Sequence, residues 1–350
     1  MRICRVDQLS GNEILAKDIV SRDYSFLLAR GTVVKKEYIE KLKELHIAMV
    51  YVEEEGRSIE ARRILREEVE EKFTEKVKQI LETHTYQHNE ELVGLCDTAE
   101  KIMHEIIEDE DITERVFDIR ERGADLYEHS INVCTLATLT ALKLKLEKDI
   151  IRGIGAGALL HDLGLRYITV DYVNRDVEEM ETDEMSEYMK HPIYGYSSLE
   201  NETWLPKISK DVILYHHETL DGVGYPLKTN VVPFECQIVG VCEVLDEMLC
   251  GVGRRRTKVH VAVEYLMDAK GKKFDSRIVE ALLAFTAVYP AGTRVLTNEG
   301  EIGIVIKQNA EFPNRPVLLM VEDKNRNRYE ERIIRNLLDE QTIFIERVIE

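Results

Sequence analysis

The spacing of apolar positions divides the chain into segments of different periodicity. Residues 1 to about 55 place short apolar runs, "EILAKDIV", "SFLLARGTVV" and "AMVYV", around one helical stretch, "KKEYIEKLKEL". This pattern predicts a small α+β unit. From about 90 to 287 the periodicity is helical nearly throughout, with polar or Gly/Pro breaks. After "VYPAGT", the runs "EIGIVIKQN", "RPVLLMVED" and "TIFIERVI" predict a small β unit over 288–350.

A separate amphipathic pattern lies between the first unit and the helical region. Apolar side chains recur every three or four residues at Leu65, Val69, Phe73, Val77 and Ile80. This spacing predicts one helix of about six turns over about 58–83. So narrow a stripe suits packing on a domain or pairing with a second copy of the chain, and the spacing leaves both open. The second alternative would make the protein a homodimer.

These patterns predict four regions and a mainly α fold class. The regions are a small N-terminal α+β domain (1–55), a linker with packing helices (56–114), a helical domain (115–287) and a small C-terminal β domain (288–350). A chain of 350 residues is long enough for two or three such modules, each with its own core.

Composition narrows the classes of ligand. Lys plus Arg is 47 and Asp plus Glu is 66, which gives a net charge of -19. So acidic a protein is a poor general binder of nucleic-acid polymers or anionic membranes. A small anionic substrate would need a local source of positive charge, such as metal ions.

Targeting and redox signals are weak in this sequence. No run of 18 apolar residues occurs, and the first residues, "MRICRVDQLS", lack an apolar signal region. We therefore expect a cytoplasmic protein without membrane insertion. The six cysteines form no C-x-x-C pair, so a disulfide framework or zinc ribbon is not expected.

Histidines and carboxylates occur as an ordered series in the helical region. Each of them alone could be an ordinary core residue or the polar end of a helix. Imidazoles and carboxylates on five helical segments together indicate a polynuclear metal site in a helix bundle. Nitrogen and oxygen ligands without thiolate suit iron, manganese or zinc, and an aspartate next to a histidine can bridge two ions. The series comprises Asp125, His129, His161, Asp162, His191, His216, His217, Glu243 and Asp246.

The motifs around these residues resemble the HD-GYP subgroup of the HD metal-dependent phosphohydrolases, over about residues 115–287. "HS-x-x-V" is matched from His129, "HD-x-G" from His161, and "HP-x-x-G" from His191. "HHE-x-x-DG-x-GYP" is matched without a gap from His216 to Pro226, and "FD" at Phe274. Five motifs in the family's order are a specific signal, whereas one His-Asp dipeptide would not be.

The resemblance implies an HD-type helical bundle with two or three divalent metal ions, often iron. It implies hydrolysis of cyclic di-GMP to linear pGpG or GMP by a metal-bridging hydroxide, with His161 and Asp162 at the catalytic centre. The implied metal ligands are His129, His161, Asp162, His191, His216, His217 and Glu243, with Asp125 assigned at the position of a third-metal ligand.

The family's substrate-binding pattern is altered in this chain. The lysine after "HD-x-G" is Leu165, the first ligand of "AD-x-x-DA" is Glu243, and the first arginine of "TSDRPYR" aligns with Val252. Arg254, Arg255 and the neighbouring Arg166 are the candidates for binding substrate phosphate instead. The alterations leave open an active phosphodiesterase for cyclic di-GMP, a phosphohydrolase for another cyclic dinucleotide or nucleotide, and a non-catalytic metal-containing sensor or interaction module.

The loop after the paired histidines completes the predicted site. Its glycines allow close approach of the backbone, and we expect the loop to form the rim of the site. Tyr225 would line the substrate site or a surface for a protein partner. The loop residues assigned to substrate binding are Asp221, Gly222, Gly224, Tyr225 and Pro226.

Overall fold

The computed structural model describes residues 2–6, 9, 15, 19–20, 26–28, 32, 34–45, 47, 49–52, 63–83, 90–108, 112–309 and 312–349. The chain divides into two compact units. One comprises Met1–Glu60, Ala291–Lys307 and Pro316–Glu350, and the other comprises Ala61–Pro290 and Gln308–Arg315.

The N-terminal part of the first unit is α+β. Strand β1 (Arg2–Arg5) pairs antiparallel with β4 (Met49–Val52), and β2 (Ile19–Val20) pairs antiparallel with β3 (Phe26–Leu28). Helix α1 (Lys36–Glu44) lies between β3 and β4 in the chain. A small core forms around it because the helix buries one apolar face. That core contains Val6, Leu9, Leu15, Ile19, Val34, Ile39, Leu42 and Val50.

The C-terminal part of the first unit is an antiparallel sheet of five strands. The strand order is β8-β7-β6-β5-β9. Strand burial alternates only in part, which is consistent with a small sheet with one covered face. The strands are β5 (Arg294–Thr297), β6 (Ile302–Lys307), β7 (Val317–Glu322), β8 (Arg328–Asn336) and β9 (Ile345–Ile349).

The second unit is helical. Its helices are α2 (Glu67–Thr83), α3 (Val93–Ile107), α4 (Leu126–Lys143), α5 (Lys148–Leu160), α6 (Thr182–Tyr188), α7 (His191–Leu199), α8 (Lys207–Tyr215), α9 (Phe234–Cys250), α10 (Val259–Ala269) and α11 (Ser276–Leu283). The predicted mainly α fold with two small flanking elements is thus confirmed.

Helices α4 and α9 form the centre of this unit. Almost every residue from His129 to Ala141 and from Cys236 to Cys250 is buried, as expected for helices enclosed on all sides. Helix α9 follows Pro233 and ends at Gly251, whose φ of +85° gives the left-handed C-cap that glycine adopts without strain. Polar side chains on these two helices therefore face a protein interior.

The helix predicted over 58–83 is shorter than expected. Residues 58–62 lie outside the described residues, residues 63–66 are not helical, and α2 begins at Glu67. Leu65 enters the core before the first turn, and three glutamates in that turn complement the helix dipole. Phe73, Val77 and Leu81 are buried in the core of the second unit. The burial of these side chains favours packing of α2 within its own chain over pairing with a second copy of the chain.

A search of the described residues finds no helix long and apolar enough to cross a membrane. The predicted division of the chain into four regions stays a prediction.

Candidate metal centre and active site

The predicted histidines converge from different helices at one buried place. His129 lies in the first turns of α4, and His161 is the C-cap of α5. His191 opens α7, His216 is the C-cap of α8, and His217 follows it. The paired histidines therefore lie just beyond the last turn of α8. Helix ends can supply such ligands because the chain changes direction there.

The first group of ligands surrounds Glu243. Its Oε1 lies 3.2 Å from His129 Nε2, and its Oε2 lies 2.8 Å from His161 Nε2. Oδ2 of Asp162 lies 3.5 Å from His129 Nε2 and 3.4 Å from His161 Nε2. The glutamate at the position of the family's aspartate therefore reaches both imidazoles, with one oxygen for each.

The second group shares Asp162 with the first. Oδ1 of Asp162 lies 3.3 Å from His191 Nε2 and 3.9 Å from His216 Nε2. The Nε2 atoms of His191 and His216 lie 3.1 Å apart. His217 completes the group, in which the candidate ligand atoms lie within 4.8 Å of one another. The two oxygens of Asp162 thus face different groups, as a bridging carboxylate would.

The outer nitrogens of three histidines bind backbone carbonyls. Nδ1 of His161 lies 2.6 Å from the oxygen of Ala158, and Nδ1 of His191 lies 2.9 Å from that of Tyr188. Nδ1 of His216 lies 3.0 Å from the oxygen of Ile213. A carbonyl only accepts, so each Nδ1 carries the hydrogen and each Nε2 keeps its lone pair for a metal.

A carboxylate orients the fourth imidazole. Oδ2 of Asp246 lies 2.7 Å from His129 Nδ1 and also accepts a hydrogen bond from Arg122. Nε of Arg122 lies 3.2 Å from Glu128 Oε1. Asp246 is fully buried, so the Arg122 charge offsets much of the cost of burying it. This arrangement is the carboxylate–histidine pairing common around bound metals.

Unpartnered buried atoms test whether the site fits metal ions. Among the described residues, four buried ligand atoms of the two groups have no hydrogen-bond partner, although such atoms are nearly always paired in proteins. Two of them, His161 Nε2 and Glu243 Oε2, face each other at 2.8 Å with no hydrogen bond between them, because the hydrogen of His161 is on Nδ1. A divalent cation would satisfy the four atoms together. The four atoms are His161 Nε2, Asp162 Oδ2, His217 Nε2 and Glu243 Oε2. Buried histidine and carboxylate groups of this kind indicate divalent metal binding.

Electrostatics at the two groups differ. Burial disfavours the charged form of His161, but Glu243 and Asp162 outweigh it and raise its pKa to about 10. Burial, together with the charges of His161 and His191, lowers the pKa of His216 to about 3. Burial opposes ionisation of Asp162, yet His161 and His191 hold its pKa well below the ordinary value. In the absence of metal these side chains therefore hold protons, which a bound cation would displace.

The glycine of the "HD-x-G" motif permits two ligand segments to touch. A Cβ at Gly164 would lie only 1.8 Å from the carbonyl oxygen of His191. Because no side chain fits there, glycine allows the segment of His161 and Asp162 to pack directly on the start of α7. The glycine of this motif is therefore explained by the packing of the two segments, whereas its histidine and aspartate are explained by ligation.

The loop after the paired histidines is held by Glu218. Its buried carboxylate accepts backbone hydrogen bonds from Leu227, Lys228 and Thr229. The ring of Tyr225 stacks on that of His217, with centroids 4.4 Å apart. The loop therefore lies against the site, as expected for its rim.

Two of the five loop residues assigned to substrate binding line a pocket of about 160 Å³. Gly224 and Tyr225 line this pocket together with His216 and His217. Oδ1 of Asp221 instead accepts hydrogen bonds from Thr219 and Val223, and Gly222 adopts a φ of +72° in the same turn. Asp221, Gly222 and Pro226 shape the loop and are not part of the pocket wall.

Asp125 does not join the ligand groups. Its exposed side chain caps α4 by accepting hydrogen bonds from the backbone N–H groups of Tyr127 and Glu128, both at 2.9 Å. Its carboxylate is taken up by the free N–H groups at the start of the helix, as is common for an aspartate at this position. Its assignment as a ligand of a third metal stays a prediction. None of the ligand groups found among the described residues contains it.

Two of the candidate phosphate contacts bind other partners. Arg166 donates to the carbonyl oxygen of Leu81 in the last turn of α2. Arg255 is exposed and pairs with Glu179, with Nη2 2.8 Å from Oε1. Arg254 alone of the three candidates lines the pocket, with its Nε 2.8 Å from Glu247 Oε2. The structure thus places Arg254 at the pocket and does not place Arg166 or Arg255 there, and their contact with phosphate stays a prediction.

Two of the three altered positions, Leu165 and Val252, meet in one apolar cluster. Both are almost fully buried, at 3% and 2% exposure, and they pack with Met180, Tyr188 and Cys250. The ring of Tyr188 lies 5.1 Å from that of His191 between centroids. Two positions that are basic in the family pattern thus form an apolar contact beside the metal ligands.

Sequence reasoning missed several residues of the site. Arg122, Glu247 and Lys273 lie outside the five motifs, and nothing in their local spacing indicates a role. Glu218 stands within the "HHE" motif, which was the signal that could have found it. Burial raises the pKa of the Glu247 carboxyl to about 7, against the opposing charge of Arg254.

Comparisons with known proteins agree with this geometry. A family model described as "HD domain" matches residues 98–278, and one described as "KOW domain associated with HD domain" matches residues 294–350. The chain belongs to the HD domain family, since the first model spans half of its residues. The more specific resemblance to the HD-GYP subgroup is confirmed as well.

Two curated relatives and one solved structure are similar to the chain. A cyclic di-GMP phosphodiesterase of Pseudomonas aeruginosa is 27% identical over 186 residues, which cover 52% of this chain and 44% of that protein. A cyclic di-GMP phosphodiesterase response regulator of Xanthomonas campestris pv. campestris is 31% identical over 173 residues, covering 48% and 45%. An HDG"Y"P protein from Bdellovibrio bacteriovorus shares the fold, with a TM-score of 0.53, 19% identity and coverage of 80% of this chain and 97% of that chain. The chain spans less than half the length of these two curated relatives.

Proposed function

We propose that the chain is a metal-dependent phosphodiesterase that hydrolyses cyclic di-GMP to linear pGpG or to GMP. The observation that carries the proposal is the pair of ligand groups that share Asp162, with buried ligand atoms left unpartnered. Two relatives named for this activity support the choice of substrate.

The residues divide into two metal positions. One would be held by His129, His161, Asp162 and Glu243, and the other by Asp162 with His191, His216 and His217. Nitrogen and oxygen donors suit iron, and also manganese or zinc. When bound, divalent ions lower the pKa of water toward about 7 and neutralise charge on a phosphodiester.

The protein's own contribution is orientation and exclusion of water. Backbone carbonyls and Asp246 fix the tautomer of four of the five histidines, so their lone pairs converge without rearrangement. Tyr225, stacked on His217, covers one side of the pocket. A phosphodiester seated there would face the ligands of the second position.

Hydrolysis by purified protein tests the proposal. The chain is reconstituted without oxygen with Fe(II) or Mn(II), and products of cyclic di-GMP are separated by chromatography. We expect pGpG or GMP from the wild type, none from Asp162→Asn, and wild-type rates from Asp268→Asn, a matched change at a side chain that is 85% exposed.

Two other outcomes would replace the proposal. Metal binding with cyclic di-GMP bound but unchanged over hours would indicate a non-catalytic sensor or interaction module. Cleavage of another cyclic dinucleotide or nucleotide, with cyclic di-GMP neither bound nor cleaved, would reassign the substrate.

A further inference from the structure

The pocket beside the paired histidines contains two cations. It is bordered by His216 and His217, and its lining also includes Arg254 and Lys273. A cyclic dinucleotide carries two anionic phosphodiesters. Metal ions at one side of the pocket would neutralise one of them, so the other needs a cationic side chain.

The positions at which the family pattern places basic side chains cannot provide this charge. Leu165 and Val252 are apolar and lie buried in one cluster. Arg166 donates to a backbone carbonyl, and Arg255 pairs with Glu179. Among the described residues, the pocket wall contains none of these four.

Arg254 is held in place with donors to spare. Its Nε binds Glu247 at 2.8 Å, and its guanidinium carbon lies 5.6 Å from the centre of the Tyr265 ring. A guanidinium has five N–H donors, and this salt bridge engages one nitrogen of the three. Glu247 offsets the charge of Arg254, and Glu178 also lines the pocket. Without a second cation the charged side chains of the lining would therefore be net negative and would repel a phosphate.

Lys273 supplies that second cation from a fixed backbone. Its N–H donates to the oxygen of Ala269 at 2.9 Å, and its carbonyl accepts from the N–H of Leu220 at 3.0 Å. These bonds tie the turn after α10 to the loop that follows the paired histidines. The hydrogen bond from Thr219 lowers the pKa of Asp221 in that loop, and the positive charge of Lys273 adds a smaller effect in the same direction.

We propose that Lys273, together with Arg254, binds a phosphate of the cyclic dinucleotide, in the role that basic side chains at positions 165 and 252 have in the family pattern. This inference rests on the proposed function and assigns Lys273 a part in substrate recognition. The residue precedes the Phe274-Asp275 motif and lies far along the chain from Leu165.

The neighbouring lysine provides a matched control. Lys272 is one position earlier, its side chain is 68% exposed, and its Nζ pairs with Asp268 at 3.0 Å. Kinetics of cyclic di-GMP hydrolysis are measured for wild type, Lys273→Gln, Lys273→Arg and Lys272→Gln, each with its metal content. Binding of cyclic di-GMP is measured in parallel by calorimetry.

We expect Lys273→Gln to raise KM about tenfold or more, because the substrate phosphate then lacks a charge-assisted hydrogen bond. Its kcat and metal content should change less than about threefold, whereas a merely structural role would lower both. Lys273→Arg should restore most of the affinity, and Lys272→Gln should match the wild type.

The failures of the two proposals differ. If the wild type cleaves or binds cyclic di-GMP and Lys273→Gln has the same affinity as Lys272→Gln, the inference about Lys273 is overturned alone. If the wild type binds without cleaving and Lys273→Gln weakens binding, the inference stands although the proposed activity fails. A wild type that neither binds nor cleaves this nucleotide overturns both.

Discussion

The support of His129 by Asp246 allows a quantitative prediction. Asp246→Asn keeps the shape of the side chain and removes its charge. Oδ2 of Asp246 serves both His129 and Arg122, and the side chain has no exposure to solvent. The substitution therefore leaves a mostly buried guanidinium without its main counter-charge and weakens the orientation of one predicted ligand.

The magnitude follows from these two effects. Removing one partner of a buried ion pair costs about 3–5 kcal/mol. Glu128 still lies 3.2 Å from Arg122, so we expect the lower end, about 3 kcal/mol. For domains of about 150–250 residues this corresponds to a fall in Tm of about 6–12 °C. Removing the carboxylate behind a ligating histidine lowers metal affinity about 10–100-fold.

Thermal unfolding with and without metal, and titration of the metal-free protein with Mn(II), measure the two effects. Arg122→Met combined with Asp246→Asn should cost less than the sum of the single changes, because the double variant has neither a buried guanidinium nor a buried carboxylate left without the other. Asp268→Asn is the exposed control. If Asp246→Asn unfolds within about 2 °C of the wild type and binds metal equally well, the reasoning about buried support is refuted.

Two further predictions concern packing and protons. Gly164→Ala should lower Tm and metal content strongly, because its Cβ would overlap the His191 carbonyl, whereas Gly123→Ala, with no atom within 4 Å, should behave as wild type; equal unfolding curves would contradict this. Metal binding should release protons at pH 7–8, since the pKa of His161 is raised to about 10 and a ligating imidazole must be neutral. Apparent affinity should then rise with pH until about 10, and calorimetry in buffers of different ionisation enthalpy would refute this by showing no proton release.

The structure brings the side chains predicted as metal ligands together, whereas it disperses those predicted as substrate contacts. His129, His161, Asp162, His191, His216, His217 and Glu243 could be picked out because metal chemistry restricts the residue type, and they converge in the structure. Contacts to phosphate can come from any nearby cation, so residue type and order in the chain do not determine which side chain makes them.

Other binding partners explain why the structure places some of the predicted site residues away from the site. Asp125 lies one turn before His129, yet free N–H groups at the start of α4 take its carboxylate. Arg166 is next to Leu165 in the chain, but its side chain reaches the end of α2 instead. Lys273 was not predicted because its approach to the pocket depends on the turn after α10, which no periodicity reveals.

Anomalous scattering from crystals of the protein reconstituted with Fe(II) or Mn(II) tests the central claim most directly. We predict two peaks, one on each side of Asp162. The first should lie among His129, His161 and Glu243, and the second among His191, His216 and His217. A single peak that excludes Asp162, or no peak in metal-saturated protein, would contradict a shared two-metal centre and the phosphodiesterase proposed from it.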